Sequence, residues 1–511
     1  MNTAGTNNLM PVNRLFLEIA DSDFAAFMKE CDKFIDRHPV ILDAIGADLE
    51  RLAKEKKKGR LEDRRWHEFH NVEPLSGMEP IYEEINVEDL KLGKGRPRLM
   101  DAYVTFMFLM ARGYEGGVSR RSFRDLTQES KTMTVIMANR DIPMPAGSTI
   151  SENINAVSNA TRELIHKKQL RAAKEEGLDD FKEMTIDSTA VEANTAWPTD
   201  SKILLGLVDR IWRTGNKLDA FGVENFSRHW METWIKKIAR LDLEIINAKN
   251  NRERKKHYRR LFHFAENALE HLSTQQRLLK QRADLQSHCP TQRERLQLIV
   301  SAIQTDLKDT EKVICYSKKR IFEGKQTSST KKILSLADKD AAYIKKGDRD
   351  PVIGYRPQLA RSQNGFIGFF ALPEGNANDS KWLVPATLGW IKNTGTVPSL
   401  LSTDDGYSST EGKKLVEALG VEKVSFSGSK GKKILGFDQW EDDIIVQARR
   451  ERSKVESSIF TVKYVFDFRR ASRTGQESVN TDLLEKVLAF NFWRVVKLRR
   501  RRNADRLRLA A

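Results

Sequence analysis

The stretch "DFKEMTIDSTAVEA", residues 180–193, marks a change of pattern along the chain. Before it, apolar residues recur at helical spacing. Within it, Met184, Ile186 and Val191 fall close together with the β-branched Thr185 and Thr189, which predicts a strand. "PTDSKILLGLVDRIW" then returns the chain to helix, with Thr199 or Asp200 placed to cap it. From about Ser201 to Lys325 the sequence is polar, of helical pattern and almost without Gly or Pro, and predicts a helical insertion or coiled hairpin. Strands resume after "GKQTSSTKK" with "ILSLAD", "PVIGYRPQLA" and "FIGFFALP", which are short and rich in aromatic or β-branched residues. Helix "SKWLVPATLGWIKNT", strand "VPSLLST", helix "STEGKKLVEALG", strand "KVSFSG" and a long helix from about Asp442 to Phe468 follow. That order predicts a mixed α/β sheet with helices on its faces.

Upstream, the spacing predicts a small helical unit from about Asn13 to His70, then a Gly/Pro-punctuated basic arm, "LKLGKGRPRLMD". Three helical stretches come next: "DAYVTFMFLMARGY", "SRRSFRDLTQES" with Ser119 as N-cap, and "GSTISENINAVSNATRELIHKKQL" with Ser148 or Thr149 capping ahead of Glu152. Their arrangement suits a helix-turn-helix that presents its second helix to a DNA major groove, or an ordinary helical bundle. The spacing leaves both open. Among 511 residues, 87 Lys and Arg against 71 Asp and Glu leave a net charge of +16, so polyanions are the natural partners and nucleic acid the first among them. Cys31, Cys289 and Cys315 are far apart and form no CxxC pair, which argues against a disulfide framework and a zinc ribbon and suggests a reducing compartment. Without a signal-peptide pattern or an apolar run of roughly 18 residues, the expectation is a soluble intracellular protein with no membrane partner.

The carboxylates carry the chemistry. Acidic residues at strand ends and on a facing helix are what a two-metal phosphoryl-transfer site needs, because Mg²⁺ takes oxygen ligands and keeps several waters. Asp187 in "TIDST" and either Asp404 or Asp405 in "STDDGY" stand at predicted strand ends. If the second strand continues through Asp404 and Asp405, their side chains point to opposite faces, so one is a ligand and the other is not. On the long helix, with 100° per residue and Arg452 as zero, Glu456 falls at about 40°, Lys463 at about 20° and Arg449 at about 60°. Val455, Ile459, Val462 and Phe466 form the adjoining apolar stripe, so Glu456 sits at its margin among cations. A surface Arg452–Glu456 pair is the plainer alternative. Other features are weaker. Trp197 suits a core place before a helix cap or a stack on a flipped base; "SGSKGKK" (427–433) suits a DNA-backbone contact or a solvated turn; the tail "VVKLRRRRNADRLR" suits phosphate binding or a solvated terminus.

These motifs together resemble the bacterial insertion-sequence transposases with a DDE triad on a ribonuclease-H-like catalytic domain. "MTIDSTAVEANTAWPTDSKIL" is similar to the family's first-aspartate motif and "LLSTDDGYSSTEGKKLVEALGVEKV" to its second. Arg452, Glu456 and Lys463 have the spacing of its tyrosine, arginine, glutamate, lysine signature, with Arg449 in the tyrosine's place. The resemblance, over roughly Gly95 to Gly475, implies Asp187, Asp404 and Glu456 as catalytic metal ligands, and its pattern selects Asp404 over Asp405. It also implies Mg²⁺ or Mn²⁺, two ions, as cofactor. Arg452, Lys463 and Arg449 would meet phosphates of double-stranded DNA, both transposon end and target. A homodimer or higher oligomer, cytoplasmic and nucleoid-associated, would form the synaptic complex. The implied organisation is an N-terminal helical region (1–94), a helix-turn-helix-like DNA-binding domain (95–176), a catalytic domain in two parts (177–202 and 329–470) around a helical insertion (203–328), and a basic tail (471–511). A non-catalytic DNA-binding descendant and a metal-dependent nuclease that cuts without joining are the alternatives.

Overall fold

The computed structural model describes residues 23–71, 85–92, 100–116, 123, 130–139, 141–195, 197, 199–218, 228–282, 289–345 and 350–510. They divide into two compact units, Met1–Leu52 with Lys94–Asn194 and Ile344–Ala511, and Ala53–Gly93 with Thr195–Tyr343.

The first unit begins with α1 (Asp23–Arg37) and the first part of α2 (Pro39–Asn71), then α3 (Ala102–Tyr114), α4 (Lys131–Ala138), α5 (Gly147–Ala156) and α6 (Asn159–Glu175). The stretch expected to be one capped helix from Gly147 is two. Ser158 ends the first and caps the second by accepting from Thr161 N at 3.1 Å, while Asp48 takes the Ser158 N–H at 2.8 Å. No side chain caps α5, whose N-cap is Ala146 rather than Ser148 or Thr149. Most of "SRRSFRDLTQES" lies outside the described residues. α6 is committed to the fold: Leu170 and Ala173 enter the sheet's core, and Gln169 Nε2 donates to Leu488 O at 3.0 Å.

The strands are β1 (Glu183–Ser188), β2 (Val191–Glu192), β3 (Ala342–Ile344), β4 (Val352–Tyr355), β5 (Gln358–Ser362), β6 (Ile367–Ala371), β7 (Leu400–Thr403) and β8 (Lys423–Phe426). Five of them form one sheet in the order β6-β5-β1-β7-β8. β5 runs antiparallel to β1 and β6 antiparallel to β5, whereas β7 is parallel to β1 and β8 parallel to β7. "ILSLAD", expected as a strand, is not one; Ser335 Oγ takes the Asp338 N–H at 2.9 Å and turns the chain.

Alternation along the central strands sorts the sheet's two faces. Met184, Ile186 and Leu401 join a core with Leu383, Ala386 and Trp390 of α11 (Leu383–Thr394). Trp390 is wholly buried, meets Phe181 edge-on at 5.8 Å and donates its indole N–H to Phe181 O at 3.3 Å, so its one polar atom is satisfied. The opposite face carries Thr185, Asp187 and Ser402. After α12 (Thr410–Ala418) and α13 (Ser429–Trp440), that face is covered by α14 (Asp443–Glu451). The small Ser402 and Ser425, opposite one another in register, let α14 approach and donate to Ala448 O and Ile445 O at 3.5 and 3.4 Å.

The helix expected from Asp442 to Phe468 is interrupted at Arg452, giving α14 and α15 (Ser453–Val465), although Arg452 itself keeps right-handed helical angles. On α15, Val455, Val462 and the following Phe466 are buried, and Ile459 is half-buried. The last segment, read as a basic tail, is α16 (Gln476–Ala510), and its first half is core: Val479, Leu483, Val487, Leu488 and Phe490 are each at most 2 % exposed. Its arginine run pairs within the fold. Arg499 meets Glu30 at 2.7 Å and Glu176 at 2.5 Å, Arg500 meets Asp23, and Arg502 meets the Gly177 carbonyl.

The second unit comprises the rest of α2 with α7 (Asp200–Asn216), α8 (Arg228–Ile246), α9 (Asn251–Arg282) and α10 (Pro290–Glu323). Thr199 caps α7 through Lys202 N at 3.2 Å. Leu204, Leu207, Leu241, Phe262 and Ile303 form its core, and Arg210 ties α7 to Asp306 of α10 at 2.5 Å.

Candidate active site

Asp187 is the fifth residue of β1 and only 6 % exposed, with Oδ1 accepting from Ser188 N at 2.7 Å. Asp404 follows β7 directly with extended backbone (φ −80°, ψ 175°). In the parallel ladder Thr185 stands opposite Ser402. That is the last pair of the ladder; carried two residues further, the same register would bring Asp187 level with Asp404 on one face of the sheet.

Asp405 turns elsewhere. Its Oδ1 accepts from Gly431 N at 2.7 Å and from Ser408 Oγ at 3.1 Å, and its Oδ2 from Lys430 N at 3.2 Å, so it caps α13. Gly428 makes this possible: at φ +114° it turns the chain tightly, and a Cβ there would lie 2.6 Å from Asp405 Cγ. "SGSKGKK" thus receives Asp405 through the backbone N–H groups of Lys430 and Gly431, while the side chains of Lys430, Lys432 and Lys433 are exposed.

Four residues that the sequence analysis did not single out as site residues surround the aspartates. Arg356 donates to Ser188 Oγ at 3.2 Å and ion-pairs with Asp379; Gln358 Nε2 donates to Asp379 Oδ1 at 3.0 Å. The Tyr407 hydroxyl donates to Gln358 Oε1. Burial pushes the Tyr407 phenol far above its ordinary range, reinforced by the negative charges of Asp379, Asp187 and Asp404. Tyr407 is therefore a permanent donor on which three aspartate fields converge. In sequence, "GNANDSKW" reads only as turn chemistry, and Asn378 does accept from Ser380 N at 3.2 Å; nothing local marks the partnership of Asp379 with strands distant in the chain.

Glu456 is placed differently from the two aspartates. It lies in the first turn of α15 with its side chain 60 % exposed, and Arg452 donates to it at 3.2 Å. Arg361 of β5 bonds Ser458 Oγ at 2.7 Å, which seats α15 against the sheet, but Glu456 points about 100° round the helix from the buried Val455. Arg449 is engaged by Trp440, donating to its carbonyl at 2.8 Å with the guanidinium 3.8 Å from the ring centre. Lys463 is half-buried on α15. Trp197, for which a core place was one expectation, is 55 % exposed.

Among the described residues, no three His, Cys, Asp or Glu side chains stand close enough to hold an ion unaided. The pair Asp187 and Asp404 nevertheless has the chemistry a hard divalent cation requires. Mg²⁺ is commonly held by one or two carboxylates, with waters and substrate phosphate oxygens completing its shell.

A family model for a transposase DDE domain matches residues 325–492, which include Asp404 and Glu456 but not Asp187. No curated protein and no solved structure matches the chain. The family match supports a transposase-type activity with DNA as the class of partner. Among the described residues, no helix is long and apolar enough to cross a membrane.

Proposed function

We propose that the protein is a DNA transposase of the insertion-sequence kind, which binds transposon-end DNA and catalyses metal-dependent strand cleavage and strand transfer. The observation that supports it is the parallel pairing of β1 and β7, at whose adjacent ends Asp187 and Asp404 stand. The strand order β6-β5-β1-β7-β8, with β5 alone of the five antiparallel to the rest, supports a ribonuclease-H-like catalytic domain.

Asp187 and Asp404 would hold Mg²⁺ or Mn²⁺, and Glu456 would join them once DNA draws Arg452 away to phosphate. Two such ions supply stabilisation of the attacking and leaving oxygens at phosphorus. The chain's own part is to hold the two carboxylates near one another, to anchor the turn after Asp404 through the Tyr407 hydroxyl on Gln358, and to meet DNA phosphates with Arg452 and Lys463. Arg449 contributes by fixing α14 against Trp440. Assembly of two ends calls for at least a homodimer, acting at the nucleoid.

The test uses purified full-length protein and the DNA that flanks its own gene. With Mg²⁺ the expected products are nicks at the element's ends followed by joining to target DNA, all absent with a chelator. Asp187→Asn, Asp404→Asn and Glu456→Gln each abolish both steps while end-DNA binding persists. Cleavage without any joined product would make the protein a nuclease instead.

A further inference from the structure

The two aspartates stand on one hydrogen-bonded frame whose centre is Asp379. It is 5 % exposed, ion-paired with Arg356 and bonded by Gln358 Nε2 at 3.0 Å. One arm of the frame runs through Arg356 to Ser188 Oγ at 3.2 Å, the residue after Asp187. The same guanidinium also reaches Asn376 Oδ1 at 3.2 Å and the Ala377 carbonyl at 3.5 Å, so its direction is fixed. The other arm runs through Gln358 to the Tyr407 hydroxyl, in the turn that follows Asp404. Gly406 closes the circuit. A Cβ at Gly406 would lie 3.1 Å from Asp404 Oδ1 and 3.2 Å from Asp379 Oδ2, so these oxygens are no more than about 6 Å apart, with no side chain between them.

We propose that Asp379 is the positioning residue of the divalent-metal site. By binding Arg356 and Gln358 it fixes the strand ends that carry Asp187 and Asp404, and it neutralises a guanidinium that stands beside Ser188. This rests on Asp187 and Asp404 being the metal ligands. The physical reason is charge: an unpaired, largely buried guanidinium next to Ser188 would compete with a dication for the same carboxylates, whereas the Arg356–Asp379 pair is neutral as a whole. Partners of this kind, which orient ligands without touching the ion, typically change metal affinity about 10- to 100-fold when altered.

Titration of the full-length protein with Mn²⁺, with free Mn²⁺ followed by electron paramagnetic resonance in the absence of DNA, separates the possibilities. Wild type binds, and Asp187→Asn and Asp404→Asn lose binding. Asp379→Asn, which keeps the shape but loses the charge and one of the two acceptor oxygens, weakens binding about 10- to 100-fold in protein that circular dichroism shows to be folded. The double variant Arg356→Gln/Asp379→Asn, which removes both charges, recovers most of that loss. Wild-type affinity in Asp379→Asn would overturn the proposal. A double variant as weak as the single one would overturn it too, because Asp379 would then touch the ion itself. If Asp379→Asn does not fold, Arg356→Lys serves: it keeps the charge but cannot span Ser188 and Asp379 together, and binding at least about tenfold weaker is expected, unchanged binding being fatal. Failure of the underlying reading looks different. Wild type would then bind no Mn²⁺, or Asp187→Asn and Asp404→Asn would bind as wild type does, and both ideas would fall together.

Discussion

Asp404 and Asp405 are chemically alike and adjacent, yet the fold uses them differently: one accepts from Gly406 N at the end of the strand beside β1, the other receives the N–H groups at the start of α13. Glu485 shows a different solution for a buried carboxylate. Burial alone would raise its pKa, but Arg112 at 2.5 Å, Arg162 at 2.6 Å and Arg473 beyond them overcome that and hold it at about 2. Since the folded value lies below the ordinary 4.5, its stabilising contribution is complete above pH 4.5 and is lost as pH falls toward about 2. Glu485→Gln leaves two buried guanidinium groups without their counter-charge. Urea unfolding at pH 7 is expected to show a loss of about 3–5 kcal/mol. The same variant flattens the acid limb of the stability curve between pH 4.5 and 2, and an unchanged limb would place the acid sensitivity elsewhere.

Among the elements, α13 and α14 depend on the residues beneath them. Asp405→Ala removes the cap from α13 and is expected to cost about 1–2 kcal/mol in denaturant unfolding. Ser425→Leu puts an isobutyl group where a hydroxyl meets Ile445 O at 3.4 Å, and overpacking of about 1–3 kcal/mol is expected, with reduced protection of α14 amides in hydrogen exchange. Much at this scale was legible beforehand. The strand through Met184 and Ile186, the Thr199 cap and the apolar stripe of α15 follow from period and cap chemistry, which are local. The break at Arg452 was not legible, because Arg452 is a good helix former and its own angles remain helical. Asp379 and Arg356 were invisible for another reason: they pair with each other across 23 residues, and Arg356 meets Ser188 of β1 only because sheet register sets β5 beside β1.

For the whole molecule, the mixed α/β class and the basic charge were readable from composition and element order, whereas the fate of that charge was not. The run at 499–502 suits either phosphate binding or a solvated terminus in sequence, and in the structure Arg499 pairs with Glu30 and Glu176, and Arg500, half exposed, with Asp23. Net charge is thus a poor guide to which cations reach DNA. If Lys463 meets a phosphate, Lys463→Ala lowers the slope of log affinity against log salt by about 0.9, while Arg500→Ala leaves the slope unchanged and lowers stability instead. The most direct measurement compares Asp404→Asn with Asp405→Asn in Mg²⁺-dependent cleavage of end DNA. The expected result is no cleavage by the first and substantial cleavage by the second, whose asparagine oxygen still caps α13. Cleavage by Asp404→Asn together with its loss in Asp405→Asn would contradict the site built on Asp187 and Asp404.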